Sequence, residues 1–288
     1  MRGKYLDYNK LSYDEKIKMF NIAKTLHRKG VRGFGKVKIR EFLREKFKVN
    51  IKIGTLEHWL YDDMRPRRTA TVEISPELAA IVAARLSDGS FLKNRKRFQF
   101  CCKDVELCEF IRENLRKILH YNYRIIKNKD LLCILACDEK LADFFKKLDY
   151  DVIKRMAKYP EFIKVFFDAE GCISVKTGRG RRGRVFIPCV TVYNADLEIL
   201  KIVQRVLKRK KIHTNIVESR KRGQQVIFGR KKTRFRKTIY SLYIQRKKDV
   251  ILFNELYGFI SKRKQEKLSD VVDILKNYGI TPKAFIEW

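Results

Sequence analysis

Two stretches of this chain share one form, an apolar run of helical length that ends in an acid followed by glycine. The first is residues 81–89, which ends in Asp88-Gly89, and the second is residues 163–171, which ends in Glu170-Gly171. Glycine just past a helix readily adopts positive φ and stops the helix. Each acid is therefore predicted to lie at a helix end, where the next strand begins.

The first helix is predicted to pack closely, because it carries four alanines between positions 79 and 84 and small side chains let helix backbones approach. If the two helices pack side by side, Asp88 and Glu170 converge, and converging carboxylates repel unless a hard cation lies between them. Mg²⁺ binds one or two carboxylates together with phosphate oxygens, as in metal-assisted phosphodiester hydrolysis. The pair predicts a Mg²⁺ site that Mn²⁺ or Ca²⁺ could also occupy. The simpler alternative is two core helices with capping acids.

Similar elements follow both stretches, which indicates an internal duplication. Residues 97–103 alternate polar and apolar side chains, as a half-buried strand does, and Asp104 begins the next helix. In the second unit, residues 185–193 are predicted to form the strand and Asp196 begins the helix, with residues 176–184 as an extra loop. The predicted fold class is α+β, with two αββαββα units.

Both stretches resemble the LAGLIDADG motif of homing endonucleases, and the order of elements over residues 75–288 resembles the single-chain enzymes of archaeal type. The resemblance implies two antiparallel sheets that form a saddle over DNA, with the motif helices at the centre, in a monomer that acts as a pseudo-dimer. It also implies that Asp88 and Glu170 are catalytic metal ligands, with the backbone of Gly89 and Gly171 as further candidate ligands.

The resemblance also marks positions beside the two acids. The motif's first acid is Asp168 in the second unit but Leu86 in the first, which bears on local structure more than on chemistry. In the family, a basic or amide residue near the end of the second strand assists the scissile phosphates. Lys103 matches that position in the first unit, Asn194 is the nearest match in the second, and Gln245 ends the last strand. The alternative for Lys103 is an ordinary phosphate contact.

The charge balance points to a polyanionic partner. The chain has 67 Lys and Arg against 33 acids, a formal net charge of +34, which is typical of a nucleic-acid binder. Charge alone does not separate DNA from RNA. An anionic membrane is the other candidate, but no apolar run reaches transmembrane length. Seven cysteines without a C-x-x-C pair predict reduced thiols and a cytoplasmic location.

The first 70 residues are predicted to form a separate helical domain, followed by repeats at residues 71–155 and 156–288. Its three short helices resemble a helix-turn-helix DNA-binding domain. The third helix would then present four side chains to the major groove: Lys52, Thr55, Glu57 and His58. The alternative is a three-helix structural cap.

Candidate DNA contacts come from strand faces, where arginine and glutamine can read base edges, and from basic segments, which grip phosphates. The strand-face candidates are Arg97, Gln99 and Lys103 in the first sheet, and Thr191, Tyr193, Ser241, Tyr243 and Gln245 in the second. The basic segments supply Arg179, Arg181, Arg182, Arg184, Arg220, Arg222, Arg230, Arg234 and Arg236, and the linker after the first domain supplies Arg65, Arg67 and Arg68. A basic segment can also be merely a solvated surface.

The sequence thus predicts a site-specific, divalent-metal-dependent endonuclease that makes a double-strand break in DNA. Retention of both acids argues against the first alternative, a non-cleaving DNA-binding regulator on the same scaffold. A second alternative is an RNA-splicing maturase, which the net charge does not exclude.

Overall fold

The computed structural model describes residues 5–28, 35–62, 72–92, 97–180, 183–228 and 231–277. The chain divides into two compact units, Met1–Thr69 and Ala70–Trp288. A further division of the second unit between residues 155 and 156 stays a prediction. In the described ranges, no helix is long and apolar enough to span a membrane.

The first unit is helical. Its elements are β1 (Leu6–Asp7), α1 (Tyr13–Arg28), α2 (Lys36–Phe47), β2 (Val49–Asn50) and α3 (Ile53–Leu60), and the two short strands pair in parallel. A reciprocal cap begins α1: the Ser12 amide donates to the Glu15 carboxylate at 2.8 Å, and the Glu15 amide donates to the Ser12 hydroxyl at 3.3 Å. Met19, Leu43 and Trp59 belong to an apolar core within this unit, so it has the packing of an independent domain.

The second unit repeats one order of elements twice. The first half contains α4 (Pro76–Leu86), β3 (Gly89–Leu92), β4 (Arg97–Cys102), α5 (Val105–Leu119), β5 (Ile125–Asn128), β6 (Leu131–Cys137), α6 (Glu139–Lys146) and α7 (Tyr150–Met156). The second contains α8 (Pro160–Glu170), β7 (Gly171–Gly180), β8 (Gly183–Asn194), α9 (Leu197–Arg209), β9 (Asn215–Arg220), β10 (Gln225–Phe228), β11 (Lys231–Arg234), β12 (Ile239–Ile244), α10 (Lys247–Leu256) and α11 (Lys262–Asn277).

Two four-stranded antiparallel sheets result, in the orders β3-β4-β6-β5 and β7-β8-β12-β9. The order is the same in both halves, and the predicted duplicated α+β fold is confirmed. The second half differs by an antiparallel hairpin, β10–β11, between β9 and β12. The predicted loop at 176–184 is wrong, because β7 and β8 stay paired out to Gly180 and Gly183.

The two motif helices α4 and α8 pack against each other in the core of this unit. Every residue of α4 from Leu78 to Ala84 is fully buried, as the alanine pattern predicted. A serine cap and a proline in the first turn begin α4: the Ser75 hydroxyl accepts from the Leu78 amide at 3.1 Å.

The glycines that follow the motif acids are required for a reason other than the predicted one. Neither Gly89 nor Gly171 has positive φ, and Gly171 is extended at φ −112°. Instead, a side chain at either position would collide with the preceding helix, at the Ala84 and Phe167 carbonyl oxygens. Each strand therefore begins so close to the preceding helix that a Cβ atom at this position would overlap the helix backbone.

One cysteine pair departs from the expectation of reduced thiols. Cys101 and Cys133 lie directly opposite each other on β4 and β6 and form a disulfide. Cys102, Cys108 and Cys189 are free and buried. A cytoplasmic location stays a prediction.

Candidate active site and nucleic-acid interface

Asp88 and Glu170 lie at the ends of the packed helices α4 and α8, and the structure brings their carboxylates within electrostatic reach. Burial, and then the nearby Asp88 carboxylate, raise the pKa of Glu170 to about 7. Partial burial also raises the pKa of the Asp88 carboxyl. The two helices, which begin far apart in sequence, therefore place both acids in one site.

A lysine that sequence reasoning missed also belongs to this site. Lys264, in the first turn of α11, lowers the pKa of both acids through its charge. Its ammonium donates hydrogen bonds to the carbonyl oxygens of Asp168 and Gly171, the latter at 3.1 Å. No motif marks Lys264 in the sequence, because only the packing of α11 against the end of α8 brings it here.

Asp168 explains how α11 is held. Its buried carboxylate accepts hydrogen bonds from the amides of Ile260 at 2.5 Å and Ser261 at 2.7 Å, and from the Ser261 hydroxyl. These donors lie just before α11, so Asp168 supports the turn that presents Lys264. Leu86, at the matching position of α4, packs against the apolar core instead.

The strand register distinguishes Lys103 from Asn194, the two residues predicted to lie beside the acids. Gly89 pairs with Phe100 on β4, and Gly171 pairs with Val192 on β8. Lys103 lies three residues beyond Phe100, so it sits just past the end of β4, beside the Asp88 end of α4. It is exposed, which suits a phosphate contact.

Asn194 is not the counterpart of Lys103. It lies only two residues beyond Val192 and therefore on the same face of β8 as Val192, the face turned to the core. Its side-chain oxygen accepts from the Asp196 amide at 2.8 Å and shapes the turn into α9. The register equivalent of Lys103 is Ala195, so the second repeat lacks a basic side chain at this position.

Gln245 lies just past β12, away from the acids. Its amide group donates to the Cys189 thiol at 3.6 Å. Cys189 precedes Val192 by three residues, about 10 Å along β8. The prediction that Gln245 assists the chemistry therefore finds no contact in the structure that supports it.

The donors at the site fit a hard divalent cation of the Mg²⁺ type. Within the described ranges, no cluster of three or more His, Cys, Asp or Glu could hold a metal by protein ligands alone. Two converging carboxylates suffice for a cation that takes its remaining oxygens from water and phosphate. The Gly171 carbonyl accepts a hydrogen bond from Lys264 and keeps a second lone pair, so its role as a backbone ligand stays a prediction. Gly89 stays a prediction.

Each sheet has an open face, defined here as the face turned away from the apolar core. On β4 the open face carries Arg97 and Gln99, both half-buried, while Phe98 and Phe100 are buried on the other. The predicted alternation is confirmed. On the second sheet, Tyr193 is exposed and Tyr243 is half-buried, with the Lys176 ammonium 4.6 Å from the Tyr243 ring centre.

Two predicted strand-face contacts are wrong. Thr191 is 1% exposed and Ser241 is 0% exposed, so neither side chain is accessible to a ligand. Thr191 lies directly opposite Tyr243, and Ser241 directly opposite Tyr193. Each short side chain is thus flanked by a larger ring on the same face, and the rings are the accessible groups.

The basic segments of the second repeat surround β9 and the β10–β11 hairpin. Exposed there are Arg220, Arg222, Arg234 and Arg236, and the Arg220 guanidinium lies 5.0 Å from the Phe235 ring centre. Arg179 and Arg184 are opposite each other in the backbone register of β7 and β8. Arg181, Arg182, Arg230, Arg65, Arg67 and Arg68 lie outside the described residues.

In the first unit, Lys52 is exposed and precedes α3, Thr55 is half-buried, and His58 is exposed. The His58 ring lies 2.6 Å from the Asp62 carboxylate. Glu57 pairs with Lys36 at 2.5 Å. Of the predicted groove-facing side chains, Lys52 and His58 are exposed, and His58 is paired with Asp62.

Comparison with known protein families gives a match for one half of the core. Residues 158–258 match the family described as the LAGLIDADG-like domain. The second repeat is thus similar to a LAGLIDADG-like domain. Its motif helix is α8, and the match spans α8 to the end of α10.

The chain is also similar to an uncharacterised protein of Methanocaldococcus jannaschii, at 23% identity over 285 residues, covering 95% of this chain and all of the relative. Among solved structures, it is similar to the LAGLIDADG homing endonuclease I-LtrWI bound to target DNA, at 11% identity and a TM-score of 0.47, covering 75% of this chain and 96% of the other. It is likewise similar to I-DmoI in complex with DNA and Ca, at 16% identity and a TM-score of 0.43, covering 73% and 96%.

Proposed function

We propose that this protein is a site-specific, divalent-metal-dependent endonuclease that makes a double-strand break in DNA. The observation that carries the proposal is the convergence of Asp88 and Glu170 at the ends of two packed motif helices, where they share one electrostatic environment. Two carboxylates that approach each other out of water repel, so an arrangement that only served the fold would gain nothing from acids at both positions. The LAGLIDADG-like match over residues 158–258 supports the same reading for the second half.

The residues of the site would have different roles in hydrolysis. Asp88 and Glu170 would hold the cation, each acid serving one DNA strand. A bound Mg²⁺ ion would offset negative charge on the scissile phosphate and lower the pKa of a water molecule. The water oxygen would bond to phosphorus as the bond to the 3′ oxygen breaks; the water would release one proton to solvent, and the departing 3′ oxygen would take one up. Lys103, exposed beside Asp88, is placed to contact the phosphate on its side.

Duplex DNA would lie along the open faces of the two sheets. Arg97 and Gln99 of the first sheet, and Tyr193 and Tyr243 of the second, are the accessible groups that could contact base edges. The exposed arginines around the β10–β11 hairpin would bind phosphates, and the net charge of +34 suits such a partner. The chain would act as a monomer, because its two repeats provide both halves of the site.

The first unit is proposed to bind a further stretch of duplex through α3 and the basic segment that follows it. A second candidate function, a non-cleaving DNA-binding regulator, is favoured by one observation: the Lys264 ammonium already binds the carbonyls of Asp168 and Gly171, on either side of Glu170. An RNA-splicing maturase stays the third alternative.

The test is incubation of the protein with a library of randomised DNA duplexes and Mg²⁺, followed by sequencing of the cut ends. Cut ends that share one sequence are expected, and they should be missing with a variant that carries both Asp88→Asn and Glu170→Gln. Selective duplex binding without cutting in Mg²⁺ or Mn²⁺ would favour the regulator. Binding to structured RNA in preference to every duplex would favour the maturase.

A further inference from the structure

Arg85 lies in the last turn of α4, at a position that carries an apolar ring in the second repeat. The matching residue of α8 is Phe167, which is fully buried and packs against Phe253 with the ring centres 4.9 Å apart. Arg85 is half-buried, at the end of a helix whose residues 78–84 are fully buried. The first repeat thus holds a charge, partly withdrawn from water, where the second repeat has only apolar packing.

The Arg85 guanidinium has no counter-charge among the residues that the structure describes. None of their ion pairs or side-chain hydrogen bonds includes it, and burial lowers its pKa. A half-buried charge without a partner destabilises a folded protein. An arginine retained at such a cost is expected to meet a ligand that brings the missing negative charge.

Arg85 lines an open cleft of about 550 Å³ at the end of α4. The cleft is also lined by Ala195 and Asp196, in the turn between β8 and α9, and by Lys237, just before β12. Ala195 is the register equivalent of Lys103. The Arg85 side chain therefore borders the place where the second repeat lacks the basic residue that the first repeat has.

The acids that line this cleft already have partners of their own. The Asp196 carboxylate accepts from two backbone amides of α9, at 3.0 and 3.3 Å, and from a tyrosine hydroxyl at 2.9 Å. Glu198 pairs with Lys201 at 2.6 Å. Lys237 is exposed and, like Arg85, takes part in no ion pair or side-chain hydrogen bond of the described residues. The groups that the cleft leaves for a ligand are thus a guanidinium and an ammonium.

We propose that Arg85 and Lys237 form a phosphate-binding subsite for the DNA backbone, in which the first motif helix supplies the basic contact that the second repeat lacks at Ala195. A phosphodiester suits the cleft because a guanidinium can donate two parallel hydrogen bonds to its oxygens. The inference rests on the proposed function for the duplex as ligand. The subsite binds DNA and takes no part in bond breaking, so its test uses stability and affinity.

The first measurement is the thermal unfolding midpoint of the full-length protein without DNA. Arg85→Leu should raise the midpoint by about 2–4 °C, because it replaces an unpaired, half-buried charge with an apolar side chain. Arg112→Leu is the matched control, since Arg112 is half-buried on α5 but pairs with Glu109, and it should not raise the midpoint. A lower midpoint for Arg85→Leu would show that this arginine supports the fold, and would overturn the inference.

The second measurement is duplex affinity in EDTA, by fluorescence anisotropy at several salt concentrations. Arg85→Leu should weaken binding about tenfold and flatten the logarithmic salt dependence by about 0.9, the change for one phosphate no longer neutralised. Lys237→Gln should flatten it likewise. Arg85→Lys should keep the slope but lose part of the affinity, because lysine has the charge without the bidentate geometry. Arg112→Leu should change neither quantity.

An unchanged slope for Arg85→Leu or for Lys237→Gln would overturn the two-cation subsite. Because EDTA removes metal ions, these results do not depend on cutting. A wild type that binds duplex with the expected slopes but never cuts would remove the nuclease proposal and leave the subsite intact. A cutting enzyme whose salt slope is unaffected by Arg85→Leu would do the reverse.

Discussion

Asp168 and Ser261 are joined by two hydrogen bonds across 93 residues of sequence, with the Ser261 amide 2.7 Å from the carboxylate and the Ser261 hydroxyl also donating to it. Asp168 is 1% exposed, so the link is shielded from water. Through these bonds α8 fixes the turn that precedes α11, and the first turn of α11 positions Lys264. One buried acid thus connects the fold to the electrostatics of the candidate active site.

The first prediction tests this link. Asp168→Ala should destabilise the protein by about 3–5 kcal/mol, because it strands buried donors and leaves Lys264 without its partner. Denaturant unfolding followed by circular dichroism measures the loss. Asp270→Ala, at an exposed position of α11, should leave the unfolding midpoint unchanged. A small loss for Asp168→Ala, similar to that of the control, would show that α11 is held by its apolar face alone.

The second prediction concerns chemistry. Asp88→Asn and Glu170→Gln should each stop double-strand cleavage and leave duplex affinity largely intact, since each amide keeps the size of the acid but loses the charge that a cation needs. Cleavage of a plasmid carrying the selected target, with binding measured in parallel, checks both halves. Either variant cutting both strands at nearly the wild-type rate would contradict the assignment. Asp270→Asn is the control for a charge change away from the site.

The third prediction concerns the close approach of strand and helix after α8. Gly171→Ala should cost about 2–4 kcal/mol of stability, because the added methyl group meets two backbone oxygens, those of Phe167 and Thr191. Gly54→Ala is the matched control, since Gly54 lies inside α3 with open space around it. That change should stabilise the first unit by up to about 1 kcal/mol. A neutral Gly171→Ala would mean that β7 can shift away from the helix.

How far the sequence could predict this site depends on whether the signal is local. The sequence predicts the acids at 88 and 170 because each ends its own apolar run. It predicts the open face of β4 because the alternation of polar and apolar residues is complete within six residues. Lys264 could not be found in this way, since its role depends on a contact with Asp168 across the fold. Glycine and arginine at 178–184 indicate a loop, but pairing with the opposite strand outweighed that local preference.

A one-residue difference in register misled the prediction about Asn194. Sequence spacing made it the nearest polar residue to the Lys103 position, but side chains alternate along a strand, and a shift of one residue reverses the face. Only the pairing of Gly171 with Val192 shows that Asn194 points to the core side. The second repeat consequently has alanine, Ala195, at the position that Lys103 occupies in the first repeat.

The fourth prediction concerns electrostatics. Duplex binding should weaken steeply with salt, and changing Arg222, Arg234 and Arg236 to glutamine should flatten the logarithmic salt dependence by about 0.9 for each phosphate that the protein no longer neutralises. Fluorescence anisotropy with a labelled duplex at several salt concentrations measures the slope. Lys208→Gln plus Lys210→Gln is the control, because both are exposed at the end of α9, which covers the core side of the second sheet. Equal slopes in the two variants would mean that the β10–β11 hairpin does not contact DNA.

The fifth prediction concerns the first unit. It has its own apolar core, so its removal should leave Asp88 and Glu170 in place. Deleting residues 1–70 should raise the dissociation constant, because a tethered second module adds affinity through effective concentration. The footprint on a labelled duplex should shorten at one end only, and the cut positions should not move. In the full-length protein, Lys52→Gln should weaken the same end of the footprint, whereas Lys38→Gln on α2 should not. Identical footprints with and without residues 1–70 would show that this unit is a structural cap and not a reader of DNA.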